Sequence, residues 1–285
     1  MEKAKKSNKK QIILYICLGI CITAVVVCSV GLGLELYTGR KSIAYYAELS
    51  AGIEKRPRTT VNRGNAQRTR PSAAPVNAEE DPVEIYVVEE PVIEEDPWVP
   101  YVDFEALSQR FPGIVAWITL EGTLLDYPVM QGINNYFYLS YLPDGTRDRA
   151  GSVFLDYRNK MDFSDKSSLI YGHESRVGEM FGALKNYRNQ TFYEEHPFIN
   201  LYTSESDYKI ELIAGYLVDS GVETPPMSFR DDAAFESYIA ELRRRSLFRS
   251  TVEVGNDDRL VCLCTCAYDF TNARWVIVGK LVDVT

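Results

Sequence analysis

Between Cys28 and Cys262 the chain has no cysteine. The six thiols fall into two clusters, Cys17, Cys21 and Cys28 in one apolar run and Cys262, Cys264 and Cys266 in another. A framework of disulfides stapling a small exported domain is thereby excluded. Along a strand, positions i, i+2 and i+4 share a face with neighbours ~6.5–7 Å apart, at or beyond disulfide reach. Zinc ligand pairs need two or more intervening residues and a turn, so the Cys-x-Cys-x-Cys run is not read as a metal site. Histidine is scarce too, with His173 and His196 alone. A basic excess is missing: the net charge is −9, and Asp103 to Val284 carries 27 acids against 18 bases. Nothing suggests nucleic-acid binding, and no cofactor is implied.

Charge of either sign is absent over the 23 residues from Ile12 to Leu34. A helix of that length spans ~34 Å, enough for a bilayer core of ~30 Å. Before it, Met1 to Lys10 holds five Lys against one Glu. The expectation is a cytoplasmic tail over 1–11 and a membrane helix over 12–34, with everything after it outside the cell. A cleaved signal peptide is the rival, but the run exceeds a typical apolar region of ~7–15 residues and no clear Ala-x-Ala-like site follows. Residues 35–100 read as an extracellular linker, largely disordered after about residue 52. Lys55 to Arg70 holds six bases and no acid, Glu79 to Asp96 nine acids and no base, and both are Pro-punctuated and poor in apolar residues. Contact of the basic block with anionic wall or lipid stands beside the plainer reading of a solvated stalk. A chain starting near Pro97 is therefore expected to fold and act alone.

From Tyr101 to the end at 285 the pattern changes to short β-rich runs with few helices. Ile114–Leu120, Leu124–Met130, Ser152–Leu155, Ser168–Tyr171, Phe198–Thr203, Tyr208–Val218, Arg259–Cys266 and Arg274–Val284 make about eight strands. Asp103 caps a short helix, and Met180, Phe181, Leu184 and Tyr187 show helical spacing. Phe235, Tyr238, Ile239 and Leu242 mark a longer helix within Asp231–Phe248. The class is mainly β, a barrel with peripheral helices.

Three residues carry candidate chemistry. Cys266 ends an apolar strand, and a thiol there becomes a nucleophile as the thiolate, favoured by a nearby cation. His173 ends a strand-like run beside Gly172 and could shuttle a proton, although alone it reads equally as a satisfied structural imidazole. Arg274 opens the apolar strand Trp275–Val278, where a charge is costly unless it meets an anion, standing or developing. Thr265 and Tyr268 flank the thiol as candidate substrate-binding residues, while Cys262 and Cys264 lie deeper and read as packing.

Cys262-Leu263-Cys264-Thr265-Cys266 resembles the Thr-Leu-x-Thr-Cys strand of sortases, with Cys262 in place of the usual first Thr. Ala150–Asn159, Tyr171-Gly172-His173 and Phe192–Thr203 resemble class B sortases in particular. The resemblance covers roughly Tyr101 to Val284 and implies an eight-stranded barrel with one long helix before the cysteine strand. It implies catalysis by His173, Cys266 and Arg274, and leaves His196 structural. It also implies a membrane-held extracellular cysteine transpeptidase without cofactor. Such an enzyme cleaves the sorting signal of secreted proteins, a pentapeptide like Asn-Pro-x-Thr-Asn or a Leu-Pro-x-Thr-Gly variant. It then joins them to an amine of the peptidoglycan precursor. A pilus-building role with a pilin Lys as nucleophile is the alternative, and Asp96-Pro97-Trp98 faintly resembles the lid of such enzymes. A papain-type peptidase would carry its Cys on a helix ahead of the His. A non-enzymatic anchored binding module is the remaining rival.

Overall fold

The computed structural model describes residues 2–56, 99–174, 179–266 and 271–285, with side chains described in the first of these from 15 to 30, at 33 and 37, and from 40 on. At Cys266 the backbone alone is described. Tyr268, the Asp96-Pro97-Trp98 triplet, the acidic block and most of the basic block lie outside the described residues.

Helix α1 runs without a break over Glu2–Gly52. After it come α2 (Phe104–Arg110), β1 (Ile114–Thr119), β2 (Asp126–Met130) and β3 (Val153–Leu155). Next come β4 (Ser167–Tyr171), α3 (Gln190–Glu195), β5 (Phe198–Tyr202), β6 (Asp207–Asp219), α4 (Asp232–Arg245), β7 (Arg259–Cys266) and β8 (Ala273–Asp283). All eight strands close into a barrel in the order β1-β2-β3-β4-β7-β8-β6-β5. Two of the pairings, β2 with β3 and β4 with β7, are parallel.

The helices begin where the residues allow. Asp103 accepts a hydrogen bond from Ala106 N at 2.9 Å and caps α2. Asp231 accepts from Ala234 N at 2.8 Å and caps α4, which falls inside the span expected for the longer helix. Over Met180–Tyr187 the helical spacing produces a 3-10 turn, Gly182–Arg188, whose Leu184 and Tyr187 are fully buried.

Strand alternation sorts side chains into two cores. Val261, Leu263, Trp275 and Ile277 join a cluster that runs through the barrel and out beneath α1 and α2. Cys262, Cys264, Val276 and Val278 join a second cluster under Phe235, Ile239 and Leu242 of α4. That arrangement covers the outer face of β7 and β8 and leaves their rim uncovered by α4.

The amino-terminal segment up to residue 56 differs from its expectation. Among the described residues no helix is long and apolar enough to cross a membrane, so the membrane helix expected over 12–34 receives no support from them. Instead, Ser42, Tyr46 and Leu49 follow i, i+4, i+7 spacing and are 2, 6 and 4% exposed against the barrel. The Tyr46 hydroxyl donates to Gly151 O at 2.7 Å. Ser50 Oγ donates to Asp126 Oδ2 at 2.6 Å, Lys55 pairs with the same carboxylate, and Trp117 Nε1 donates to Asp126 Oδ1 at 2.7 Å. Arg56 N then donates to Tyr101 O at 3.0 Å. Residues 56 and 101 are thus neighbours in the fold. The folded body takes in 42–56, part of the segment read as a linker, because a short apolar stripe there meets the uncovered Tyr127 side of the barrel.

Candidate active site

Strand register brings the three candidate residues to one rung. β4 runs parallel to β7 with Ser167 opposite Leu260 and Tyr171 opposite Cys264. Gly172 N donates to Cys264 O at 3.1 Å, so the same register carried two residues further sets His173 beside Cys266. On the other side of β7, Cys266 pairs with Arg274 at the start of β8. β4 precedes β7 in sequence by half the barrel, yet their parallel contact makes the ends of these two strands neighbours.

Several local features hold His173 in place. Gly172 has no side chain because one could not fit: a Cβ there would lie 2.7 Å from Phe181 Cγ. Phe181 N donates to His173 O at 3.0 Å. The ring nitrogen Nε2 lies 2.8 Å from Leu139 O, and since a carbonyl only accepts, this contact assigns the proton to Nε2. Leu139 closes a 3-10 turn, Phe137–Leu139.

A groove of about 270 Å³ runs along this rung, lined by Asn135, Leu139, Tyr171, His173, Thr265 and Arg274. Its far wall rests on Asp156, which is fully buried. Arg158 grips that carboxylate with Nε to Oδ1 at 2.9 Å and NH2 to Oδ2 at 2.8 Å, while Asn135 and the Tyr171 hydroxyl donate to Oδ2 at 2.8 and 3.1 Å. Burial works to raise the Asp156 pKa, but these hydrogen bonds and the Arg158 charge prevail and hold it below the usual carboxylate value.

The two other thiols of β7, Cys262 and Cys264, are buried. Burial pushes Cys262 up to about 11. Cys264 is raised well above an ordinary thiol by burial and by Cys262, and the Arg274 charge only partly offsets this. Both are packed under α4, as their strand positions predict. Arg274 is half-buried at the groove, with NH1 donating to Ala273 O at 3.0 Å. Thr265 lies on the wall, 3% exposed, and its Oγ1 is buried with no hydrogen-bond partner among the described residues. Tyr268, the other flanking candidate, lies outside the described residues. His196 lies away from the rung, its ring 4.5 Å from that of Phe192.

Sequence reasoning missed Asn135, Leu139 and Asp156 as parts of the site. Leu139 contributes a carbonyl, which no side-chain pattern announces. Asp156 and Asn135 are legible only as polar residues inside otherwise apolar surroundings. Tyr171 lay two residues before His173, on the strand face that His173 continues, and this alternation was the available signal.

No family model matches the chain. Sortase B of Listeria monocytogenes is 35% identical over 171 residues, covering 59% of this chain and 70% of that protein. A Staphylococcus aureus sortase B solved as a substrate complex superposes with a TM-score of 0.61 at 33% identity, covering 64% of this chain and 85% of that one. Clostridium perfringens sortase B superposes with a TM-score of 0.60 at 32% identity, covering 64% of this chain and 100% of that one. The closed barrel and the rung at its rim define a sortase, a cysteine transpeptidase in general terms. The chain belongs to the class B sortases. Membership sets aside the papain-type and binding-module readings.

Proposed function

We propose that this sortase acts through Cys266, His173 and Arg274 on the sorting signal of secreted proteins and transfers them to an amine of the peptidoglycan precursor. The observation that carries the reading is the rung itself, with Cys266 in register with Arg274 on one side and, by extension, His173 on the other. The Cys266 thiolate attacks a backbone carbonyl carbon of the signal, forming a carbon–sulfur bond. The guanidinium of Arg274 donates to the resulting oxyanion. Collapse breaks the carbon–nitrogen bond, and His173, as imidazolium, protonates the departing amine; with Nε2 tied to Leu139 O, this transfer falls to Nδ1. An incoming amine then attacks the thioester, forming a new carbon–nitrogen bond and returning the thiolate, while its proton goes back to His173. Thr265 and Tyr268 flank the acyl group as substrate contacts.

We place the enzyme at the cell surface. The uncharged run Ile12–Leu34 behind a Lys-rich segment supports a single-pass anchor with residues 1–11 in the cytoplasm. Fractionation of cells carrying the full chain tests this, and recovery in the soluble fraction would remove the anchor.

The chemistry is tested by incubating the protein with sorting peptides and two amines, a wall-precursor amine and a pilin Lys peptide. Cys266→Ala loses thioester and product, whereas Cys264→Ala keeps both. Acyl-enzyme trapped on Cys264 in a mass spectrum would overturn the assignment. Transfer to the pilin Lys alone would replace the wall by the pilus as destination.

A further inference from the structure

Two of the contacts that hold His173 lead to one residue on α1. The first point is Leu139 O, which accepts from the imidazole at 2.8 Å. Gly151 packs directly against that carbonyl: with φ at +57°, a Cβ on Gly151 would come within 2.9 Å of Leu139 C and O. The Gly151 carbonyl in turn accepts from the Tyr46 hydroxyl at 2.7 Å, in a buried contact. The second point is Phe181 N, which donates to His173 O at 3.0 Å. One residue earlier, Met180 N donates to the Tyr127 hydroxyl at 3.0 Å. The Tyr127 ring lies 4.8 Å from that of Tyr46 at 89°, an edge-to-face contact.

Tyr46, 6% exposed, therefore touches Gly151 and Tyr127, the residues that lie one step behind the two supports of His173. We infer that Tyr46 is a positioning residue for His173, so that docking of the amino-terminal helix sets the imidazole in its working place. The inference rests on the role given to His173 above. Its physical basis is rigidity: the hydrogen bond restrains the Gly151 backbone, which packs against Leu139, and the ring contact restrains Tyr127, which holds Met180 beside Phe181. Reacting groups displaced by about 1 Å through a remote change lose on the order of a hundredfold in rate.

The test uses the full chain with Tyr46→Phe, which keeps the ring and removes the hydroxyl, and Tyr46→Leu, which removes both contacts. Two readouts are needed: kcat and KM for a sorting peptide, and the titration of the His173 imidazole by NMR, one of two such signals to assign. Tyr46→Phe should lower kcat roughly fivefold, the worth of one neutral hydrogen bond, with KM within about twofold. Tyr46→Leu should lower kcat by about ten- to a hundredfold. Both should shift the His173 titration. Leu49→Ala, on the same helix face but unable to make either contact, should lower the melting temperature and leave the His173 signal in place. The inference fails if folded Tyr46→Phe keeps kcat within about 1.5-fold, well inside that bond's worth, with an unshifted His173 signal. It also fails if Leu49→Ala moves that signal as far as Tyr46→Phe does. Should Tyr46→Leu not fold, Tyr46→Phe decides. Full activity in His173→Ala would instead remove the catalytic role of His173, and the NMR shift would still report whether Tyr46 places it.

Discussion

Along α1 the same kind of apolar residue meets two opposite fates. Ile16, Ile20, Val25 and Val27 stand 57, 63, 64 and 68% exposed, whereas Tyr46 and Leu49, on the same helix, are 6 and 4% exposed. The difference is one of pattern. Residues 15–30 are apolar around the whole circumference and meet no wall among the described residues. Residues 42–49 offer a single stripe, Ser42, Tyr46 and Leu49, to the barrel side that carries Tyr127. Apolar content alone therefore says nothing about docking; the arrangement on the helix and a complementary surface decide it.

Removing the docked half gives the largest expected effect. A chain beginning near Pro97 loses the cover over Tyr127, and burial of Tyr46 and Leu49 is worth ~1.5–3 kcal/mol each. We expect it to be less stable by roughly 3–6 kcal/mol than a chain beginning near residue 40, measured by urea titration. Equal stability of the two would return 35–100 to the status of a spacer.

Next in size is a matched pair of truncations on the two halves. Leu49→Ala should cost about 2–4 kcal/mol, a buried Leu leaving a cavity. Val26→Ala, at 53% exposure, should stay within about 0.5 kcal/mol in the same melting experiment. If both cost the same, α1 acts as one unit and the contrast collapses.

Acid should loosen the junction before it loosens the barrel. Burial works to raise the Asp126 pKa, yet hydrogen bonds from Lys55, Ser50 and Trp117 prevail and lower it. The folded carboxyl thus holds its proton less tightly than the unfolded one. Its contribution is complete above about pH 4 and is lost as the pH falls through the lower folded value. Asp126→Asn should cost about 1–2 kcal/mol at neutral pH, a figure reduced for partial exposure, and should flatten the acid dependence. An unchanged slope in melting temperature against pH would show that Asp126 is not what ties α1 down.

The smallest effect has the opposite sign. Because Arg56 N and Tyr101 O are already 3.0 Å apart, shortening 57–98 to about a quarter of its length with a Gly-Ser segment should stabilise the fold by about 1 kcal/mol. A loss of stability would mean that this segment contributes contacts of its own.

Much of the barrel was legible in the chain itself, since each strand is a local β-rich run and all eight appear within a few residues of their expected bounds. Cys266 stood out as a candidate because it closes an apolar strand, whereas Cys262 and Cys264 lie deeper, where burial raises their pKa values. The α4 span followed from i, i+3, i+4, i+7 spacing and an Asp cap. Other features were out of reach. A stripe of three residues in a polar stretch is too short to stand out from sequence, and the wall it meets is made of Tyr127 and Gly151, far along the chain. Likewise the carbonyl of Leu139 holds His173 through backbone chemistry that every residue shares.

Local elements and the family follow from the order of residues, because each depends on residue type at short spacing. That the strand ending just before His173 lies parallel beside the strand ending at Cys266 had to wait for the folded barrel, since the two are about ninety residues apart in sequence. The same holds for the end of α1, which joins the catalytic body because docking requires a surface that forms only when the barrel has closed.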